Sequence, residues 1–242
     1  MGALDGRRVA VIGSGITGLS AAWVLHRNGA KVTLFEKEPV CGGHTLTDHT
    51  SPYPIDLGFQ VYNLTTYPHL VGFLEALGVD TEPSDMSFAL SMDNGKLEWG
   101  SDNLDTIFAQ RKNLASPGFL RMVADVVRFG RCAPRVLEPA THHVYREMTL
   151  GQYLQAEGYS AYFRDHYVIP MCAAVWSVPS AQVLQFPVQM LIRFWVNHHL
   201  LDLFQRPLWR VVKGRAQEYV KRVCAELPDV RAGTGVASVQ RA

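Results

Sequence analysis

The chain has 242 residues, 48% of them hydrophobic, enough to bury one large core or two smaller ones, which excludes disorder as the default state. Lys and Arg total 23 against 22 Asp and Glu, with no long run of either sign, so a nucleic-acid partner recognised by bulk charge is excluded. The four cysteines form neither a C-x-x-C pair nor a metal-ligand spacing, and no stretch reaches the roughly 18 uninterrupted apolar residues of a membrane helix, so reduced thiols, no bound metal, no transmembrane segment and a cytoplasmic location are expected.

Val9-Ala10-Val11-Ile12 is a short continuous apolar run that turns abruptly into glycine, the pattern of a strand buried on both faces of a parallel sheet. Ahead of it Gly6-Arg7-Arg8 lacks the form of a signal peptide. Residues 16–28 follow with Leu19, Ala22, Trp23 and Val24 near helical spacing and with Asn28-Gly29 as a stop signal. Residues 31–36 read as a second strand, which makes the opening a βαβ unit of about thirty residues.

Between the first strand and the helix stands Gly13-Ser14-Gly15-Ile16-Thr17-Gly18, a G-x-G-x-x-G in the setting its mechanism requires. Gly13 permits the tight turn, Gly15 lets a pyrophosphate approach the backbone, and Gly18 allows close helix–strand packing. The start of the helix adds free N–H groups and the positive end of a dipole, both of which favour an anion. Glu36 ends the second strand, where a carboxylate accepts hydrogen bonds from a ribose diol and repels a 2′-phosphate, so NADP is disfavoured. The same cradle serves NAD and FAD.

Further along, residues 65–77 read as a helix stopped by Gly78, and residues 88–92 and 96–99 flank Asp93-Asn94-Gly95 as a hairpin. Residues 104–212 read as mainly helical, with breaks at Pro117, Pro134, Pro139, Pro170, Pro179, Pro187 and Pro207. A helix is expected after Gly214, then extended chain at Asp229-Val230-Arg231 and at residues 236–239.

After Glu36 the chain runs Lys37-Glu38-Pro39-Val40-Cys41-Gly42-Gly43-His44-Thr45 and later Asp56-Leu57-Gly58-Phe59. Here it resembles the flavin-containing amine oxidase superfamily, whose members carry an acid at the end of the second strand, a Gly-Gly pair soon afterwards and an Asp-x-Gly where the chain passes the flavin. Phe108-Ala109-Gln110-Arg111, Ala174-Val175-Trp176-Ser177, Arg206-Pro207-Leu208-Trp209 and Lys213-Gly214 resemble a branch of predicted NAD/FAD-binding proteins, a domain also fused ahead of plant cyclopropane fatty-acid synthases. The family run has an Arg shortly before the glycine pair, where this chain has Val40-Cys41.

The resemblance implies an α/β fold: a Rossmann-like FAD-binding parallel sheet, incomplete here, with an inserted, mainly helical substrate domain. Residues 1–64 would be the first part of the FAD domain. Residues 65–212 would be the substrate domain, with a hairpin near 86–99, and residues 213–242 the return to the FAD domain, with residues 229–231 as a third parallel strand beside the second. That strand order leaves the first strand without a neighbour on its other side, as in a truncated or split flavoprotein. The resemblance extends the cofactor-binding set to Lys37, Gly42, Gly43, His44, Thr45, Gly58 and Phe59, with Val236 offering main-chain contacts to adenine from a late strand.

The function so implied is an FAD-dependent oxidoreductase of the amine oxidase type, whose flavin takes a hydride from a C–N or C–C bond of an apolar or lipid-linked substrate. A complementing chain or a fatty-acid-modifying enzyme is the implied partner. No residue stands out as a general base. The alternatives are a carotenoid desaturase or porphyrinogen oxidase-like enzyme and a non-catalytic nucleotide-binding or partner-binding module. Weaker signals have plain readings: His142-His143 and His198-His199 lack completing ligands, Cys172 near His166 is expected in the core, and Phe186, Phe194, Trp195, Phe204 and Trp209 read as core more than as a substrate tunnel with Arg193 and Asn197 as polar handles.

Overall fold

The computed structural model describes residues 4–202 and 207–241. The chain divides into two compact units, Met1–Asp85 with Leu208–Ala242 and Met86–Pro207. Phe204 and Arg206 lie outside the described residues.

The first unit opens with β1 (Arg8–Ile12), α1 (Ile16–Arg27) and β2 (Lys31–Phe35), the βαβ start that the glycine motif requires. β1 and β2 pair in parallel, from Arg8 opposite Lys31 to Ile12 opposite Phe35. Asn28 caps the helix and Gly29, at φ +92°, makes the turn out of it. The chain then forms the small antiparallel pair β3 (Thr47–Asp48) and β4 (Ile55–Asp56), β5 (Tyr62–Asn63), α2 (Pro68–Ala76) and β6 (Thr81–Ser84). α2 begins three residues later than its apolar pattern suggested, because Pro68 occupies its first turn and the residue before a proline is kept out of helical backbone.

The second unit starts with the hairpin β7 (Ala89–Met92) and β8 (Leu97–Gly100), turned by Asp93, Asn94 and Gly95 at φ 51°, 55° and 83°. Helices fill the rest: α3 (Leu104–Ile107), α4 (Pro117–Cys132), α5 (His142–Tyr145), α6 (Leu150–Ala156), α7 (Ala161–Phe163), α8 (Ile169–Trp176), α9 (Ser180–Val183) and α10 (Val188–Asn197). Its prolines start elements as much as they break them: Pro117 and Pro170 sit in first turns, while Pro179 and Pro187 are caps. Phe129 is fully buried at the centre, its ring 5.5–6.2 Å from those of Tyr153, Tyr159, Phe163 and Trp195. Phe186 and Phe194 pack on this core, as the core reading expected. Arg193 and Asn197 lie on the exposed side of α10, so they are not handles inside a tunnel.

The first unit then resumes with β9 (Trp209–Val212), α11 (Gln217–Glu226) and β10 (Asp229–Arg231). The expected helical run to residue 212 is corrected here, since β9 is a strand held between β5 and β6 by antiparallel pairing on both sides. β10 pairs in parallel with β2, giving the order β1-β2-β10. The two units meet in sequence at 85/86 and 207/208, whereas the expectation set the changes at 64/65 and 212/213. Leu74, Leu77, Val79 and Val212 explain the shift: α2 and β9 contribute to the same core as Leu19, Val32, Leu34 and Val223.

Two further expectations are corrected. β1 is not buried on both faces: α1 packs on it and Val9 and Val11 join the core, whereas Ala10 and Ile12 are exposed on the other side. That open side borders a concavity of about 780 Å³ lined by Arg8, Ala10, Lys31, Thr33, Phe35 and Asp229, among others. Residues 236–239 form no strand; Val236 and Val239 are exposed, and the hydrogen bonds after β10 are instead Gly233 N–H to Glu38 O (2.9 Å) and Thr234 N–H to Glu36 O (2.7 Å).

Candidate nucleotide-binding site

At the C-terminal end of β1 the chain turns sharply through Gly13, at φ +92°, whose N–H donates to Phe35 O at 2.8 Å and ties the turn to the end of β2. Gly15 caps α1 with no side-chain partner, so the first N–H groups of the helix point outward without an internal acceptor. A Cβ at Gly15 would meet nothing within 4 Å, whereas a Cβ at Gly18 would lie 1.8 Å from Gly13 O. Thus the third glycine is required by packing, and the second keeps free space where a ligand backbone or phosphate would approach.

Behind this turn Ser14 is fully buried and Glu36 is 7% exposed. Glu36 Oε2 accepts Ser14 N–H (2.7 Å) and Ser14 Oγ–H (2.5 Å), and Oε1 accepts Glu38 N–H (3.0 Å). The Glu38 N–H foremost, then the Ser14 hydroxyl and N–H, hold the Glu36 carboxyl down at about 2, so it is an anion at neutral pH. A carboxylate offers about four acceptor positions, and three donors leave one for a ribose hydroxyl.

The Gly-Gly loop closes over the helix start. Gly42 N–H donates to Ser14 Oγ at 3.0 Å, which links the loop to the same serine that holds the acid. Gly42 (φ +130°) and Gly43 (φ +58°) adopt backbone that side chains rarely accept. A Cβ at Gly43 would come within 3.0 Å of Gly15 Cα, so the loop rests directly on the cradle. Thr45 is buried and its hydroxyl bonds the Tyr219 hydroxyl, which fastens the end of the loop to α11.

Asp56 and Gly58 have structural partners. Asp56 accepts the Thr47 hydroxyl (2.7 Å) and the Ala216 N–H at the start of α11 (3.1 Å to Oδ2), and a Cβ at Gly58 would lie 2.0 Å from His44 O. The Asp-x-Gly therefore closes the strand pair β3–β4 against the helix and lets the chain cross beneath His44.

These elements enclose a cleft of about 580 Å³, lined by Gly13, Gly15, Ile16, Thr17, Gly18, Gly42, His44, Thr45 and Phe59 together with Ile12, Tyr67, Leu70 and Tyr219. Most of the expected set is thus brought together. Ser14 and Glu36 stand behind the wall, and Gly43 packs on Gly15. Lys37 is exposed beyond β2, paired with Glu38 at 3.4 Å and close to Gly235. Val236 follows that glycine and lies outside the cleft lining. Tyr67, Leu70 and Tyr219 supply apolar walls that local motifs did not mark; burial raises the Tyr67 and Tyr219 hydroxyls above their ordinary value.

Elsewhere, burial pushes the fully buried Cys172 thiol up to about 12, as expected of a core cysteine. His199 donates to Asp202 at 2.7 Å and His198 stacks on Phe194 at 3.9 Å. Among the described residues no cluster of His, Cys, Asp and Glu is placed to hold a metal ion, and no helix is long and apolar enough to cross a membrane.

Residues 11–77 match the NAD(P)-binding Rossmann-like domain family. Among solved structures, a single mutant of putrescine oxidase superposes with a TM-score of 0.69 at 19% identity, covering 95% of this chain and 51% of that one. Cyclohexylamine oxidase from Brevibacterium oxydans IH-35A superposes with a TM-score of 0.60 at 21% identity, covering 95% and 51%. In sequence, 1-hydroxycarotenoid 3,4-desaturase from Flavobacterium sp. (strain P99-3) is 38% identical over 76 residues, 31% of this chain and 15% of that protein. The chain spans about half the length of the solved structures it matches.

Proposed function

We propose that this chain, which has the fold of the flavin amine oxidases and carries an NAD(P)-binding Rossmann-like domain, binds FAD and is the nucleotide-holding part of an oxidoreductase. The observation that carries the reading is the cradle itself: open space over Gly15, a jammed Gly18, and an ionised Glu36 with one acceptor position left. The residues fit the ADP half of the cofactor. The N-terminal N–H groups of α1 and the backbone of Gly42 and Gly43 would hold the pyrophosphate, and Glu36 the ribose. The anionic Glu36 sets the preference against a 2′-phosphate.

Bound flavin supplies hydride acceptance, here from a C–N or C–C bond of an apolar or lipid-linked substrate. Of the chain's own groups, Phe59, Tyr67, Leu70 and Tyr219 would give the cleft an apolar wall against water, and His44 also lines it. The likeness to a 1-hydroxycarotenoid 3,4-desaturase favours C–C over C–N chemistry as a second reading. A reducing, cytoplasmic setting fits four free thiols. For a partner we propose a complementing polypeptide at the edge of β1, which among the described residues pairs on one side alone.

The test is the absorption spectrum after incubation with FAD and desalting. A retained two-peaked flavin spectrum that bleaches with a reducing substrate supports the reading. Colourless protein that still binds ADP would reduce the chain to a nucleotide-binding module.

A further inference from the structure

Cys41 and Cys224 are 183 positions apart in sequence, yet both pack at the margin of the same core, and Cys41 is the neighbour that, after burial, raises the Cys224 thiol. The backbone explains why. The loop that begins at Cys41 lies along one face of α11: a Cβ at Gly42 would sit 3.5 Å from Val220 Cγ2, and Cys224 is one turn beyond Val220 on the same face. The Thr45–Tyr219 hydroxyl contact fixes the far end of that loop to the same helix. Both sulfurs belong to partly exposed residues at the margin of the core, unlike the fully buried Cys172.

We propose that Cys41 and Cys224 form a reversible disulfide that locks the Gly42–Gly43 loop onto α11 and so controls exchange of the bound nucleotide. The consequence for nucleotide exchange rests on the function proposed above; formation of the bond does not. The oxidant is hydrogen peroxide, the chemical class that two-electron reduction of dioxygen produces. Cys41 sulfur takes one oxygen as the O–O bond breaks, giving a sulfenic acid and one water that carries away the thiol proton. Cys224 sulfur then forms the S–S bond as the S–O bond breaks, and its proton leaves with that hydroxyl as a second water. Two thiols are oxidised and one peroxide is reduced.

Burial, and after it the neighbouring Cys41, push the Cys224 thiol up to about 12, so Cys224 is protonated at neutral pH. Cys41, which follows the exposed Val40, is the sulfur assigned to meet the peroxide first. The lock acts next to the cradle: Gly43 packs against Gly15 and Gly42 against Val220, so fixing their N-terminal neighbour removes the freedom a loop needs to lift away.

The test oxidises the reduced full chain with hydrogen peroxide, blocks remaining thiols with N-ethylmaleimide, and maps the peptides by mass spectrometry with and without dithiothreitol. Release of ADP is followed in parallel. The expected result is one reducible linkage between Cys41 and Cys224, absent in Cys41→Ser and Cys224→Ser, retained in Cys132→Ser, with several-fold slower ADP release from the oxidised chain. Alkylation of both thiols after oxidation, or linkage through Cys132, would overturn the pairing. Linkage with unchanged ADP release would overturn the lock. Failure of ADP to bind either form sinks the nucleotide reading and the lock with it, while the peptide map still decides the pairing.

Discussion

Ser14 Oγ donates to Glu36 Oε2 at 2.5 Å while accepting the Gly42 N–H at 3.0 Å, so one buried hydroxyl joins the turn after β1, the acid after β2 and the glycine loop that follows. The three stretches that would touch the adenosine and the pyrophosphate are thereby fixed to one another without any ligand. Ser14→Ala deletes both bonds and leaves the Gly42 N–H buried without its acceptor. It should lower stability by about 1–3 kcal/mol and weaken ADP binding, which urea unfolding and titration would measure on the same preparation.

The glycines of the cradle should separate by phenotype. Gly18→Ala places a methyl 1.8 Å from a backbone carbonyl that cannot move aside, so helix and turn must part, at about 1–3 kcal/mol or more. Gly15 has φ −63° and open space, so Gly15→Ala should leave the thermal midpoint unchanged or slightly raised. Equal destabilisation by the two substitutions would show that the space over Gly15 is not free.

Glu36 gives the stability a defined pH dependence. Its carboxyl titrates at about 2 in the folded chain against an ordinary 4.5, because the Glu38 N–H, then Ser14, favour the charged form. A depressed folded value stabilises above the unfolded value and loses that contribution as pH falls from about 4.5 toward 2. The contribution is at most about 3 kcal/mol. Glu36→Gln should therefore be less stable than wild type at neutral pH, and the gap should narrow through acid urea titrations; a gap constant with pH would refute the ionised assignment.

Tyr219→Phe removes the partner of the buried Thr45 hydroxyl but keeps the ring that walls the cleft. The cost should be about 1–2 kcal/mol, with faster amide exchange confined to the 42–45 loop. Uniform protection across that loop in the variant would mean that the contact does not fasten it.

How much of this was legible in the sequence follows from distance along the chain. The cradle is local: strand, glycines, helix and acid fall within residues 8–36, and each carries its own backbone requirement. The place of β10 beside β2 followed from the family resemblance, since Asp229-Val230-Arg231 is too short to signal it. The open face of β1 was not legible, because Val-Ala-Val-Ile reads the same whether one side is covered or two. β9 was lost in a helical stretch although Val211 and Val212 suit a strand; its pairing partners lie about residues 62 and 81–84. Tyr67, Leu70 and Tyr219 reach the cleft from two helices and a cap, a convergence that local spacing does not encode.

Calorimetric titration of FAD and of ADP into wild type and Gly15→Ala tests the central claim most directly. One site per chain on wild type, with heat abolished in a variant that keeps its thermal midpoint, is the predicted result. A folded wild type that gives no heat with FAD, NAD or ADP, or a variant that binds them as well as wild type does, would contradict it.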